Sequence, residues 1–310
     1  LFAHSIDRHR LAVYVVDMSQ PRIVLVRPGE ADYVVGGGAV NVVDLAACVF
    51  RLTAAFPAAR IAGTSAGSYV AACIAADVKP EKVLTTFENL LQNNRALDGG
   101  MWNLVRNFGW ARGEALREAA FKLVGGLTLG ETRVPFGCYV SDMWAPEEGP
   151  LLLSSWTTPD VLLVDAVVAS GAIPLGIQPQ TIRGLGRGNR LYCDGGTGRN
   201  FPLDVFDDIP ERPTIGVRVR PSQADPVTNA VRPGDWKAWS RSIFEQLLWA
   251  SNHAHNSSKC RNVVVDVDCP GNALDFSLRL EDIRARWRRG LAAGQENLSR
   301  VADVVGRTGC

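Results

Sequence analysis

RIAGTSAGSYVAACIAA, from Arg60 to Ala76, is the stretch on which the fold turns. An apolar run reaches Gly63, Ser65 follows between Gly63 and Gly67, and small apolar residues continue at helical spacing. Strand, sharp glycine turn and helix form the setting in which G-x-S-x-G exposes a serine hydroxyl as a nucleophile. The chain holds 30 glycines, so composition alone can produce such a motif, and its surroundings have to decide.

Upstream, Asp32 to Val35 reads as a short strand that stops at Gly36-Gly37-Gly38. Val42, Val43, Leu45, Ala46, Val49, Phe50 and Leu52 then recur at helical spacing. Strand, glycine turn and helix thus occur twice in succession. That order predicts a parallel sheet covered by helices, with functional loops at the carboxyl ends of its strands. Further strands are expected at Pro135–Ser141, Leu151–Ser154, Thr214–Val219 and Asn262–Val267, and one long helix at Leu280–Val305. No repeat, linker or low-complexity segment interrupts the pattern. We read residues 32–310 as one domain and residues 1–31 as an N-terminal extension, with a β-hairpin as the form considered for it.

The bulk properties narrow the function. A formal net charge of +1 argues against a dedicated nucleic-acid binder. The longest apolar candidate for a membrane span, Val161–Ile177, is broken by Asp165 and Pro174 and falls short of the ~18 residues needed. LFAHSIDRHR at the N-terminus contains no secretory signal and no initiator Met, which leaves a trimmed targeting segment open. Seven cysteines without metal-ligand spacing read as reduced, mostly buried thiols. The cytoplasm or a membrane periphery is the expected location, with secretion or translocation left open.

A serine needs a base to take its proton and donors for the oxyanion. The helix from Gly67 points its amide end at Ser65. Gly36, Gly37 and Gly38 offer main-chain amides as an anion nest, or else form a turn requiring positive φ. There is no G-x-G-x-x-G and no P-loop lysine to support a nucleotide cradle. For the base, His253 or His255 fits the last place of an α/β-hydrolase triad. However, that fold sets several strands before its nucleophile, and here about two precede Ser65. Both histidines also lie in the polar stretch SNHAHNSSK. Asp194, in LYCDGGTGRNFPLD, is the other candidate: a carboxylate of ordinary pKa near 4 is ionised at neutral pH and accepts a proton directly.

GGG at Gly36–Gly38, GTSAG at Gly63–Gly67, ASGAIP at Ala169–Pro174 and DGGTGRNFP at Asp194–Pro202 stand in the order and spacing of patatin-like phospholipases. GWARGEALRE at Gly109–Glu118 and the late DFSLRLEDIRARWRRGLAAGQENL also resemble segments of that family. The likeness spans roughly residues 32–300. It implies a three-layer α/β/α sandwich with a mostly parallel central sheet, and a Ser-Asp dyad without histidine, metal or other cofactor. By motif position Ser65 is then the nucleophile and Asp194 the base, with Gly36, Gly37, Gly38 and Ala66 around the oxyanion. Gly63, Gly67, Gly195 and Gly196 support the two motifs.

The implied function is a serine lipid acyl hydrolase of phospholipase A or lysophospholipase type. Its partners would be a phospholipid or other acyl-ester substrate, a membrane surface, and a protein or small-molecule activator. The alternatives are a carboxylesterase or thioesterase on soluble substrates, or a catalytically silent lipid-binding module. The last is motivated by a departure: the usual D-G-G-G-x-R/K-G reads VGGGAVN here, with Val35, Val40 and Asn41 in place of the acid, the basic residue and the last glycine.

Three weaker signals remain. Met101, Trp102, Phe108 and Trp110 cluster as a lid or membrane-dipping surface, or as helices packed on the core. Arg279, Arg284, Arg286, Arg288 and Arg289 surround Trp287 on what reads as a solvated helix face rather than a lipid-binding one. Arg183–Arg190 reads as a hairpin turn before the Asp194 strand.

Overall fold

The computed structural model describes residues 11–17, 20–27, 29–92, 99–186, 188–221, 251, 257–270 and 273–306. Its first strands, β1 (Leu11–Asp17) and β2 (Gln20–Val26), pair antiparallel in a sheet of their own. Strand β3 (Ala31–Val35) opens the central sheet, and all five of its residues are buried. Such a run, without polar alternation, suits a parallel strand covered on both faces.

Beside β3 runs β4 (Ala58–Thr64), and the two are linked through helix α1 (Val42–Thr53). Helix α2 (Ala66–Ala75) follows β4 directly. Helices α3 (Pro80–Gln92) and α4 (Met101–Asn107) lead to the short β5 (Gly109–Ala111), and α5 (Glu114–Val124) leads to β6 (Phe136–Asp142). Next come β7 (Pro150–Ser154), α6 (Leu163–Ser170), β8 (Leu175–Ile177), β9 (Tyr192–Asp194) and the short α7 (Gly196–Arg199). Strands β10 (Thr214–Pro221) and β11 (Asn262–Cys269) complete the sheet. Its order is β11-β10-β3-β4-β6-β7, parallel from β11 to β6, with β7 and β9 antiparallel to β6. Helices flank this mostly parallel sheet, as the sequence order implied.

Alternation along the strands divides the core. Tyr33, Val35 and Ile61 face the main cluster with α1, α2 and α6, whereas Val34 and Ala62 face a smaller one built by Phe201, Leu203 and Phe206. The C-terminal segment differs from the expected single helix. It divides into α8 (Leu280–Glu296) and α9 (Leu298–Val305), because the Asn297 side chain donates to the Ala293 carbonyl (2.9 Å) and competes with the helical backbone. Helix α8 lies close on α1: a Cβ at Gly290 would come within 2.1 Å of the Asp44 carbonyl oxygen. Cys48, Cys73, Cys138, Cys193 and Cys269 are buried free thiols as expected. Cys260 is a correction to the reduced set, since it is exposed and disulfide-bonded.

At the amino ends of the parallel strands a buried charge cluster ties four elements together. Asp32, fully buried on β3, takes both Arg60 contacts from β4 (3.0 and 2.7 Å), Arg212 at 3.3 Å and Lys259 at 3.6 Å. Asp208 balances Arg60 from outside (2.8 Å). Removing one member of such a cluster leaves buried charge without its counterion. Asp32→Ala should therefore lose about 3–5 kcal/mol of stability in urea unfolding, well beyond the loss in Asp208→Ala. Equal losses would show that the cluster is not what joins the strands.

Candidate active site

Between β4 and α2 the backbone at Ser65 adopts φ +53° and ψ −127°. A non-glycine residue holds such a conformation only when its surroundings over-determine it. Here they do. A Cβ at Gly63 would come within 2.3 Å of the Gly67 oxygen, and one at Gly67 within 2.2 Å of the Val35 oxygen. The motif glycines therefore serve close approach rather than positive φ. Polar contacts finish the turn: the Ser65 amide donates to Ser170 Oγ (3.0 Å), which donates to the Tyr139 carbonyl (2.8 Å). Ser68 Oγ donates to the Ser65 carbonyl (2.6 Å).

Strand register brings Asp194 to the same place. Val140 of β6 is paired by Leu151 of β7 and also by Asp194 of β9. A strand has two edges, so β9 occupies the edge used by β4, which has already turned away after Thr64. Asp194 therefore lies beside the position β4 vacates at Ser65. Its amide donates to the Ala172 carbonyl (2.9 Å), which gives the ASGAIP motif a role. Carboxylate Oδ1 accepts the Gly196 amide (2.7 Å), whereas Oδ2 has no hydrogen-bond partner among the described residues.

Burial pushes the Asp194 carboxyl up to about 7, against opposing pulls from the Ser65 hydroxyl and the Gly196 amide. The hydroxyl thus stands close enough to favour the ionised form without closing a hydrogen bond of ordinary length. This corrects the expectation of an ordinary carboxylate, which took no account of complete burial.

The four expected oxyanion donors separate. The Gly36 amide is committed to the Val217 carbonyl across the sheet (2.9 Å), and that of Gly37 donates to the Asn200 carbonyl at 3.3 Å. Gly38 and Ala66 donate to no described residue, Ala66 being the first residue of α2 and so an orphan donor. None of Gly36, Gly37 and Gly38 has positive φ; the left-handed residue of the loop is Ala39 at +48°. The glycines are needed for room: a Cβ at Gly37 would lie 3.0 Å from Ser65 Cβ and 2.2 Å from Asn200 Oδ1. Where the loop lacks a basic residue of its own, Arg286 reaches in from α8 and donates to Asn41 Oδ1 and Asp44. Arg286 is buried and Arg289 also pairs with Asp44, so these two leave the solvated face expected of them.

Ser65 opens into a narrow cavity of ≈ 50 Å³ lined by Ala66, Tyr69, Phe87, Leu116, Ile173 and Ile177 among others. The lining is almost entirely carbon. On the outside, Met101, Trp102 and Phe108, with Val105, project into solvent, whereas Trp110 is half-buried on β5, so α4 itself is not the core-packed helix considered above. His4, His9, His253 and His255 lie outside the described residues. Among the described residues no group of His, Cys, Asp and Glu could hold a metal, and no helix is long and apolar enough to cross a membrane. Ser170, Ala172 and Tyr69 are site residues that motif reading passed over. Only the ASGAIP context gave a hint of the first two.

A family model described as patatin-like phospholipase matches residues 33–207, more than half of the chain. Among solved structures, VipD from Legionella pneumophila matches with a TM-score of 0.58 at 14% identity, over 97% of this chain and 72% of that one. ExoU in the ExoU–SpcU complex of the type III secretion system of Pseudomonas aeruginosa gives a TM-score of 0.47 at 16% identity, over 98% of this chain and 60% of that one. A search of curated proteins finds no match. At such identity the likeness to VipD bears on fold alone.

A carboxyl raised by burial destabilises the folded state wherever it ionises. The protonated form keeps full stability below pH ~4, and stability is lost as pH rises toward the folded value near 7. Asp194→Asn should therefore raise Tm by on the order of 5 °C at pH 8. The gain should shrink from pH 7 downward and vanish near pH 4, as thermal melts across that range would reveal.

Proposed function

The chain belongs to the patatin-like phospholipase family, and from that premise we propose that it is a lipid acyl hydrolase with Ser65 as nucleophile and Asp194 as base. The observation that carries this reading is the shared edge of β6, which sets the unpartnered Asp194 Oδ2 beside the strained Ser65 turn. Ser65 Oγ attacks the ester carbonyl carbon and its proton passes to Asp194. The carbonyl oxygen turns toward the amides of Gly38 and Ala66, joined by Gly37 if it releases Asn200. Collapse breaks the C–O bond, the proton goes to the departing alkoxide, and an acyl-Ser65 ester remains. Water then gives its proton to Asp194 and attacks the acyl carbon; the bond from that carbon to Ser65 Oγ breaks, the proton on Asp194 returns to Oγ, and the fatty acid is released. A base with a pKa near 7 suits this exchange, since it both accepts and returns a proton at neutral pH.

The apolar lining beside Ser65 supports an acyl chain as the group bound there. At ≈ 50 Å³ the cavity is too small for a long chain, so Phe87, Leu90 or Leu116 shifts when one enters. Phospholipase A or lysophospholipase action on a phospholipid is the finer assignment. The silent lipid-binding alternative draws on one observation, the commitment of the Gly36 amide to the sheet. Two remaining donors still suffice for an oxyanion.

A fluorophosphonate probe, which reacts with activated serines, decides among these readings. Wild type and the His253→Ala/His255→Ala double variant should label, while Ser65→Ala and Asp194→Asn should not. The labelling rate should rise with pH through about 7, following ionisation of Asp194. Labelling that requires the histidines would replace the dyad with a triad, and an unlabelled wild type would favour the silent module.

The substrate surface is proposed to meet α4, whose Trp102 is 81% exposed beside exposed Met101, Val105 and Phe108. This helix carries Arg106 and no acidic residue, which suits an anionic lipid surface. Nearby, the β8 stretch sends Ile173 and Ile177 into the cavity while Leu175 stays exposed, linking the outer face to the site. Trp102→Ser/Val105→Ser should cut turnover of anionic vesicles about tenfold while soluble short-chain esters change less than about twofold. Equal losses on both would assign the helix to folding instead.

A further inference from the structure

Helix α2 places Tyr69 one turn beyond Ser65, with its ring in the wall of the same cavity. The side chain is only 7% exposed and its hydroxyl has no hydrogen-bond partner among the described residues. A buried hydroxyl without a protein partner is unfavourable to the fold. Phenylalanine would fill the same space without that penalty. Around it Phe87, Leu116, Ile173 and Ile177 present only carbon. Besides Ser65, Tyr69 is the one described residue in this lining with a polar side chain.

Its neighbours fix where the hydroxyl stands. A Cβ added at Gly171 would lie 2.9 Å from Tyr69 Cε2 and 3.5 Å from the hydroxyl oxygen. Gly171 stands between Ser170, whose hydroxyl accepts the Ser65 amide, and Ala172, whose carbonyl accepts the Asp194 amide, so the Tyr69 hydroxyl lies toward the reacting end of the cavity. Arg117 is not its partner, because that guanidinium is bound to the buried carboxylate of Asp165. Burial also raises the phenol above its ordinary value and keeps it protonated. The group is a donor waiting for an acceptor.

A bound acyl ester brings few acceptors to this position. Its carbonyl oxygen is drawn to the amides of Gly38 and Ala66, and its hydrocarbon chain offers none. The alkoxy oxygen remains. We propose that Tyr69 is a leaving-group donor, its O–H hydrogen-bonded to the alkoxy oxygen of the ester that Ser65 attacks. The inference rests on the Ser65–Asp194 reading above. As the C–O bond breaks, its electron pair stays on the alkoxy oxygen and the Tyr69 hydrogen bond to that oxygen strengthens. The proton that neutralises the alkoxide is the one Asp194 took from Ser65; Tyr69 keeps its own. A thioester presents sulfur at this position, a weak acceptor that leaves as a stable thiolate, so it gains little from Tyr69. Tyr69 thereby favours oxyesters over thioesters.

Tyr69→Phe tests this in the full chain with a soluble oxyester and thioester that share one acyl group. Loss of kcat/KM on the oxyester should exceed that on the thioester by about tenfold. Tm measured without substrate should rise by about 2 °C, because an unsatisfied buried hydroxyl is removed. Equal losses on the two esters would overturn the proposal. So would an unchanged or lowered Tm, which would mean that the hydroxyl is already satisfied. If wild type turns over neither ester, it is the Ser65–Asp194 reading that fails, and the melting comparison alone judges Tyr69.

Discussion

One edge of β6 is shared by two strands, and the site depends on that division. β4 pairs with β6 as far as Tyr139 and then leaves, while β9 arrives from the opposite direction and pairs from Val140 onward. Neither strand can extend without displacing the other. The chain must therefore turn sharply at Ser65, and the carboxylate at the end of β9 must face that turn. The small residues around it follow from this crowding. A Cβ at Gly195 would approach the Tyr139 oxygen to 2.3 Å, and one at Gly63 would collide with Gly67. The strain at Ser65 is held by packing on all sides rather than by any single bond.

The two ends of the sheet handle buried polarity in opposite ways. At the amino ends, Asp32 is surrounded by Arg60, Arg212 and Lys259, and its charge is fully answered within the protein. At the carboxyl ends, Asp194 Oδ2 and the Tyr69 hydroxyl are buried without a hydrogen-bond partner among the described residues. Groups left in that condition reduce stability. Both flank the same serine, whose neighbouring amides at Gly38 and Ala66 also donate to no described residue. In the proposed mechanism these groups would serve as an acceptor for a proton, donors for an oxyanion and a donor for a leaving oxygen. Other buried polar atoms without a hydrogen bond, such as Arg261 Nε, belong to structural contacts elsewhere, whereas Asp194 Oδ2 and the Tyr69 hydroxyl stand beside one nucleophile candidate.

Much of this was legible in the sequence because local patterns carried it. The strand–glycine–helix units from Asp32 to Ala76 gave the parallel sheet, and the GTSAG and DGG motifs marked both residues that now face each other. What escaped was set by packing over long distances. The raised Asp194 carboxyl follows from complete burial, which a turn-like Asp-Gly dipeptide does not announce. The committed Gly36 amide follows from the neighbouring β10, whose Val217 is 181 positions further on by the numbering. The break at Asn297 was missed because apolar spacing runs straight through it, while a side-chain bond to Ala293 ends the helix.

The altered glycine motif shows the same limit from another side. Read along the chain, VGGGAVN has lost a basic residue, and a silent site is a natural suspicion. In space, a guanidinium is present: Arg286 reaches Asn41 from a helix 245 residues away in sequence, and shares Asp44 with Arg289. Asn41 stands where the motif usually has glycine, and its side-chain oxygen is what the arginine grips. The two departures are thus joined by one contact. Burial raises the Asp44 carboxyl against the pull of both arginines, so the ionised group depends on keeping them. Gly290 allows this, since any side chain there would strike the Asp44 backbone and lift α8, with Arg286 and Arg289, away from the loop. A motif missing a residue in sequence need not be missing its charge in space.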